Sequence, residues 1–234
     1  MAKLKVGILG ATGMVGQRFV ALLENHPWFE VVAVAASPRS AGKTYEEAVG
    51  DRWKMTTPMP EAVKKLIVKN VNEVEAVAAT VDFVFSAVDM TKDEIKAIEE
   101  AYAKTETPVV SNNSAHRWTP DVPMVVPEIN PDHMKVIDFQ KKRLGTKRGF
   151  VAVKPNCSIQ SYAPVLTAWA EFEPYEVAVT TIVSRRKSHP SLQPMPLSSQ
   201  FQKMRNIMRC HRGAFLHSRA QPCRHRLCCR RTGR

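Results

Sequence analysis

Three glycines spaced three residues apart, Gly10, Gly13 and Gly16, directly follow a short apolar run. No other feature limits the fold of this chain as tightly. Residues 4–9 read as a buried strand, and Met14 to about Glu24 as a helix. Glycine between them lets the backbone turn sharply. It lets a phosphate group approach the amides at the helix N-terminus, and lets the helix pack closely on the strand. A glycine pattern alone is weak evidence. Its place after a strand, before a helix and at the start of the chain makes it a dinucleotide-binding turn.

The rest of the first 150 residues alternates strand with helix. Strands are expected at 30–36, 64–68, 81–88 and 108–110. A capping box, Thr91-Lys-Asp-Glu94, opens a helix to about Lys104. A second helix is expected across His133 to Lys141. Such alternation argues for an α/β fold, a Rossmann-type doubly wound parallel sheet with helices on both faces. In these sheets ligands bind at the carboxyl ends of the strands. That rule lines up the Gly10 turn, residues 37–40, Ser86 and residues 112–117 along one edge. The second strand ends in Ser37-Pro38-Arg39-Ser40 rather than in an acid. Hydroxyls and a guanidinium suit a ribose 2′-phosphate, so NADP is favoured over NAD. Arg117 is the candidate anion anchor, because a guanidinium grips a carboxylate or phosphate with two parallel hydrogen bonds. His116 reads as a loop histidine.

The next marked stretch is Val151-Ala-Val-Lys-Pro-Asn156-Cys157-Ser158. Residues 150–153 read as a buried strand, and Pro155 stops it. A helix comes next, from Ser158 to about Phe172. Cys157 therefore falls at a helix N-terminus, whose dipole favours thiolate over thiol. It is the only cysteine before residue 210, so no disulfide or metal cage claims it within that span. A small buried thiol in a tight turn is the plain alternative. The nucleotide turn upstream makes a nucleophile the better reading.

Composition divides the chain. A hydrophobic content of 44% and a charged content of 24% suit a globular protein. No apolar run is long enough for a membrane span, and no secretory signal is evident, so a cytoplasmic setting is expected. The net charge of +12 is unevenly placed. Residues 182–234 hold 13 of the 34 Lys and Arg and none of the 22 Asp and Glu, so the first 181 residues are almost neutral. Four of the five cysteines lie in that tail, at 210, 223, 228 and 229. Their spacing matches no paired zinc design, and no metal site is assigned. A basic arm of this kind is expected to bind polyanions without specificity.

Taken together, these residues resemble aspartate-semialdehyde dehydrogenase, of the branch found in archaea and fungi. The likeness runs from Lys3 to about Thr181. It is carried by Gly10-Ala-Thr-Gly-Met-Val-Gly16, Ser37-Pro-Arg-Ser40, Ser111-Asn-Asn-Ser-Ala-His-Arg117, Val126-Pro-Glu-Ile-Asn130 and Pro155-Asn-Cys-Ser158. The related N-acetyl-glutamyl-phosphate reductases usually carry Pro-Gly-Cys where this chain has Pro155-Asn156-Cys157. Malonyl-CoA reductases of the same branch remain an alternative. The resemblance implies that Gly10, Thr12, Gly13, Met14, Val15 and Gly16 hold the cofactor pyrophosphate, with Ser86 beside them. Ser37, Arg39 and Ser40 would take the 2′-phosphate of NADP. Arg117, with Asn112 and Asn156, would bind the substrate phosphate, and Cys157 would be the nucleophile. It implies reductive dephosphorylation of aspartyl 4-phosphate to aspartate 4-semialdehyde through a Cys thioester. It also implies a homo-oligomer.

After residues 175–181, expected as a strand, the family pattern stops. The family's Gln and Ser-Gly-Ala-Gly turn, its substrate-binding arginine and its catalytic histidine have no counterpart here. Three segments are thus expected: 1–149, an NADP-binding domain; 150–181, the first part of an incomplete α+β catalytic domain; and 182–234, a disordered basic tail. The expectation is a truncated enzyme of little or no turnover, its subunit interface lost. The competing class is a non-catalytic nucleotide-binding or polyanion-binding protein on the same fold.

Overall fold

The structure, a computed structural model, describes residues 2–179 and the strand segments 181–184, 201–204 and 209–210. The chain divides into two compact units, Met1–Pro164 and Val165–Arg234. In chain order the first unit holds β1 (Leu4–Leu9), α1 (Met14–Leu22), β2 (Phe29–Ala36), α2 (Tyr45–Val49), α3 (Glu61–Lys64) and β3 (Val68–Asn70). Then come α4 (Val74–Ala78), β4 (Phe83–Ser86), α5 (Lys92–Lys104), β5 (Val109–Ser111), α6 (Ile137–Leu144) and β6 (Val151–Val153). Helix α7 (Cys157–Ala168) is next.

All six strands join one parallel sheet in the order β3-β2-β1-β4-β5-β6. The chain first winds outward through β2 and β3, then returns to the other side of β1 for β4 to β6. The reversal between β1 and β4 is the topological switch point at which open α/β sheets bind ligands. Because side chains alternate along a strand, each strand feeds two cores. Leu9, Ala33, Ala35, Val84 and Val109 pack with Val77, Ile95 and Tyr102 from α4 and α5. Val6, Ile8, Val34, Ala36 and Val68 pack with Val20, Tyr45 and Val49 from α1 and α2. This is the doubly wound arrangement read from the alternation.

Strand β6 corrects the sequence reading in one respect. Val151–Val153 pairs with Val109–Ser111 and completes the first sheet, whereas the sequence assigns it to the start of the second domain. Its outer edge is covered. Gln140 is fully buried; its Oε1 accepts the Val151 N–H at 2.6 Å and its Nε2 donates to the Val151 carbonyl at 2.9 Å. Further along, the Val153 N–H donates to Pro123 and the Val125 N–H to the Val153 carbonyl. A sheet edge closed in this way offers no ladder to another chain.

Several boundaries also move. The strand expected at 64–68 lies at Val68–Asn70, because Glu61–Lys64 forms α3. The helix expected across His133 to Lys141 begins as a 3₁₀ turn, Pro131–Val136, and becomes α6 only at Ile137. The helix after Pro155 begins at Cys157 itself and ends at Ala168, with a 3₁₀ turn over Ala170–Phe172. In the second unit, the single strand expected over 175–181 is two. β7 (Pro174–Glu176) pairs antiparallel with β10 (Arg209–Cys210), and β8 (Thr181–Ser184) pairs antiparallel with β9 (Phe201–Met204). Apart from these strands, the expectation for the tail lies outside the described residues.

Candidate nucleotide and thiol site

The turn between β1 and α1 is shaped by what its glycines leave out. Gly10 has φ +78°, and a Cβ there would lie 2.3 Å from the Ala87 carbonyl oxygen. At Gly16 a Cβ would lie 2.3 Å from the Gly10 carbonyl oxygen. Backbone therefore crosses backbone at both points, and only glycine fits. Gly13 differs: it caps α1 with φ −77°, and a Cβ would find only ordinary contact. The first turn of a helix leaves its amides without intrahelical partners. Here those amides belong to Met14, Val15 and Gly16, and Gly13, Met14 and Val15 are exposed. Thr12 is half-buried beside them.

Two side chains that sequence reasoning misses hold this turn. Tyr45 is fully buried and its hydroxyl donates to the Ala11 carbonyl at 2.8 Å. Gln17, 2% exposed, donates through Nε2 to the Thr12 and Arg52 carbonyls and accepts the Lys54 N–H. A lone Tyr and Gln carry no motif, and only the folded contacts reveal them. Next along the edge, Ser37 and Arg39 are exposed and Ser40 is half-buried, on a turn closed by the Ser40 N–H to the Ser37 carbonyl.

Ser86 requires a correction. It ends β4 as expected, but it is fully buried and its hydroxyl donates to Glu99 Oε1 at 2.6 Å. Its side chain faces α5, not the open edge. Its carbonyl accepts the Asn112 N–H, which fixes the half-buried Asn112 above it. His116, read as a loop histidine, is 1% exposed and packed inward. Burial holds its pKa below the ordinary imidazole value, against the opposing pull of Glu99 and Glu100.

Arg117 and Cys157 come together over the end of β6. The guanidinium donates from Nε to the Lys154 carbonyl at 3.2 Å and from one terminal nitrogen to the Pro155 carbonyl at 3.3 Å. A guanidinium has five N–H donors, so others stay open. No carboxylate among the described residues forms an ion pair with it. Asn156 precedes α7, and its Oδ1 accepts the Ser158 N–H at 2.8 Å in the manner of an N-cap. The exposed Cys157 thiol donates to the same oxygen, Sγ to Oδ1 3.7 Å.

Lys154 is a third residue that the sequence reading leaves out of the site. Its Nζ lies 3.4 Å from both the Pro155 carbonyl and Gln160 Oε1. Burial lowers its pKa, the Cys157 sulfur pulls it up and Arg117 pushes it down. Lys154 thus feels both the Cys157 sulfur and the Arg117 guanidinium. The only sequence signal for Lys154 is its place three residues before Cys157.

Comparison with known proteins gives the family. The family model described as semialdehyde dehydrogenase, NAD binding domain, matches residues 5–137, more than half of the chain. The aspartate-semialdehyde dehydrogenase of Aspergillus fumigatus is 42% identical over 175 residues, 74% of this chain and 47% of that protein. That of Methanothermobacter thermautotrophicus is 41% identical over 172 residues, again 74% and 47%. Among solved structures, aspartate semialdehyde dehydrogenase with NADP from Candida albicans superposes with a TM-score of 0.66 at 38% identity, covering 78% of this chain and 51% of that one. The chain spans about half the length of the curated relatives it matches.

Proposed function

The chain belongs to the semialdehyde dehydrogenase family by its NAD-binding domain, and from that premise we propose an NADP-dependent aspartate-semialdehyde dehydrogenase site. One observation carries the reading. A glycine turn at a helix N-terminus and an exposed thiol, with Arg117 bonded to the Lys154 and Pro155 carbonyls just before it, lie at the carboxyl ends of strands of one sheet, on either side of its switch point. The amides at Gly13 to Gly16 suit a pyrophosphate, and the exposed Ser37 and Arg39 suit a 2′-phosphate. NADPH, when bound, supplies the hydride.

This chain's own residues do the rest. Arg117 holds the phosphate of aspartyl 4-phosphate, with Asn112 and Asn156 beside it. The Cys157 thiolate attacks the acyl carbon, the C–O bond to phosphate breaks, and inorganic phosphate leaves with the electron pair. The thioester that remains accepts the hydride at the same carbon. The C–S bond then breaks, which releases the aldehyde and restores the thiolate. Covalent catalysis divides one hard acyl reduction into two steps.

Turnover by this 234-residue chain is expected to be slight. No general base is placed at Cys157 among the described residues, and no family arginine for the substrate carboxylate comes after Thr181 in the sequence. The test joins binding to labelling. NADPH should bind and slow iodoacetamide alkylation of Cys157, while semialdehyde, NADP and phosphate give little NADPH. Absence of NADPH binding overturns the nucleotide assignment. Turnover at an ordinary enzymatic rate overturns the expectation of low activity.

A further inference from the structure

Beneath the Arg117 loop lies a sealed polar cluster that the reaction above does not use. Glu99, on α5, is fully buried and forms no ion pair among the described residues. One of its oxygens, Oε1, accepts three hydrogen bonds: from Ser86 Oγ at 2.6 Å, from Ser111 Oγ at 2.6 Å and from Asn113 Nδ2 at 3.0 Å. Those donors come from the end of β4, the end of β5 and the loop after it. Asn113 Nδ2 also reaches Ser86 Oγ at 3.2 Å, and its N–H donates to Ser111 Oγ. The other carboxylate oxygen, Oε2, is buried with no partner among the described residues. Nδ1 of His116 is joined to Thr119 Oγ1 at 3.2 Å, and a hydrogen bond with the Lys96 backbone pulls the ring's pKa up against burial.

A buried carboxylate with no counter-charge is costly for a fold even when one of its oxygens is hydrogen-bonded. Apolar packing would be cheaper there, so its presence calls for a role that packing cannot fill. The loop it holds supplies one. Asn113 is tied to the carboxylate, Ala115 and His116 are buried, and the residue immediately after His116 is Arg117. The loop is pinned where it enters and where it leaves, and the guanidinium projects from the second pin.

We propose that Glu99 is a positioning residue for Arg117, fixing the loop over residues 112–117 so that the guanidinium stays against the Lys154 and Pro155 carbonyls beside Cys157. The inference rests on the reading of Arg117 as the phosphate anchor.

The test reads the position of the guanidinium without needing turnover. Iodoacetate is anionic and iodoacetamide neutral, so the ratio of their alkylation rates at Cys157 reports the cation beside it. Mass spectrometry of the peptide carrying Cys157 separates it from the other cysteines of the full chain. Arg117→Ala should lower the ratio by about fivefold, the scale of roughly 1 kcal/mol in a rate. Glu99→Ala and Asn113→Ala should lower it comparably, and Glu99→Gln, which keeps one acceptor oxygen, should fall less. If Glu99→Ala does not fold, Asn113→Ala and Glu99→Gln decide. If Arg117→Ala lowers the ratio while these variants keep it and lose only melting temperature, Glu99 is structural alone and the proposal fails. If Arg117→Ala leaves the ratio unchanged, the anion-anchor reading falls and takes the proposal with it.

Discussion

Replacing Gly10 and Gly13 separately by alanine should divide stability from binding within a single turn. At Gly10 two independent costs coincide. The residue sits at φ +78°, a left-handed conformation that costs an L-side chain about 1–2 kcal/mol. Its new methyl would also lie 2.3 Å from the Ala87 carbonyl oxygen and 2.6 Å from the Ala87 carbonyl carbon. Both are backbone atoms that no rotamer change can remove, and overpacking of this kind costs about 1–3 kcal/mol. Together they lower stability by about 3 kcal/mol, which for a chain of this size is a fall of about 9 °C in melting temperature. Gly13→Ala meets nothing closer than the Gly10 carbonyl oxygen at 3.4 Å, at an ordinary φ. It should cost less than about 1 kcal/mol, the small difference between glycine and alanine at a cap. Its methyl does stand on the exposed face where a pyrophosphate would lie, so NADPH affinity should drop by about tenfold or more. Thermal melts followed by circular dichroism and NADPH fluorescence titrations read the two effects. A Gly10→Ala chain melting within about 2 °C of the parent would refute the steric argument. So would a Gly13→Ala chain that loses as much stability as Gly10→Ala.

Arg39→Ala should weaken NADPH by about tenfold, the scale of one charge-assisted hydrogen bond, and leave NADH unchanged; parallel titrations with the two cofactors check it. Gln140→Ala should cost about 3 kcal/mol, since it strips partners from the Val151 N–H and from the Val151 and Asp121 carbonyls; denaturant unfolding and faster hydrogen exchange at Val151 would report it. Glu106 accepts the backbone N–H groups of Lys147, Arg148 and Gly149, which hold its pKa below the usual 4.5. A carboxylate depressed in the folded state contributes stability above its unfolded pKa, and that contribution is lost as pH falls through the folded value. Glu106→Gln should therefore lower the melting temperature at neutral pH, and by progressively less as pH falls below 4.5; a loss that does not change with pH would contradict the linkage.

The parts of this fold that a linear reading finds are those whose cause is local. The glycine turn shows because a backbone that must cross another backbone admits one residue type. The Thr91–Glu94 capping box shows because both of its partners lie within four residues, and it forms as read. Strands β1, β2 and β5 show through apolar runs of the right length. Features that such a reading misses are held by contacts distant in sequence. Ser86 looks like an edge residue because its strand ends there, yet Glu99 draws its hydroxyl inward from thirteen residues away. Tyr45 supports the nucleotide turn through a bond spanning 34 residues, and Gln17, bonded to the turn at Thr12, is itself held by the Arg52 carbonyl 35 residues away. Residues 175–181 read as one strand, and the stretch holds the end of β7 and the start of β8 because each pairs with a different partner.

By answering both polar groups of Val151, the buried amide of Gln140 lets the strand that leads into Cys157 end its row of hydrogen bonds without a further neighbour. The nucleotide half is thereby spared any need to borrow a strand from the C-terminal half. The full six-stranded sheet and the thiol at its edge therefore belong to one compact unit, closed without the residues beyond Pro164.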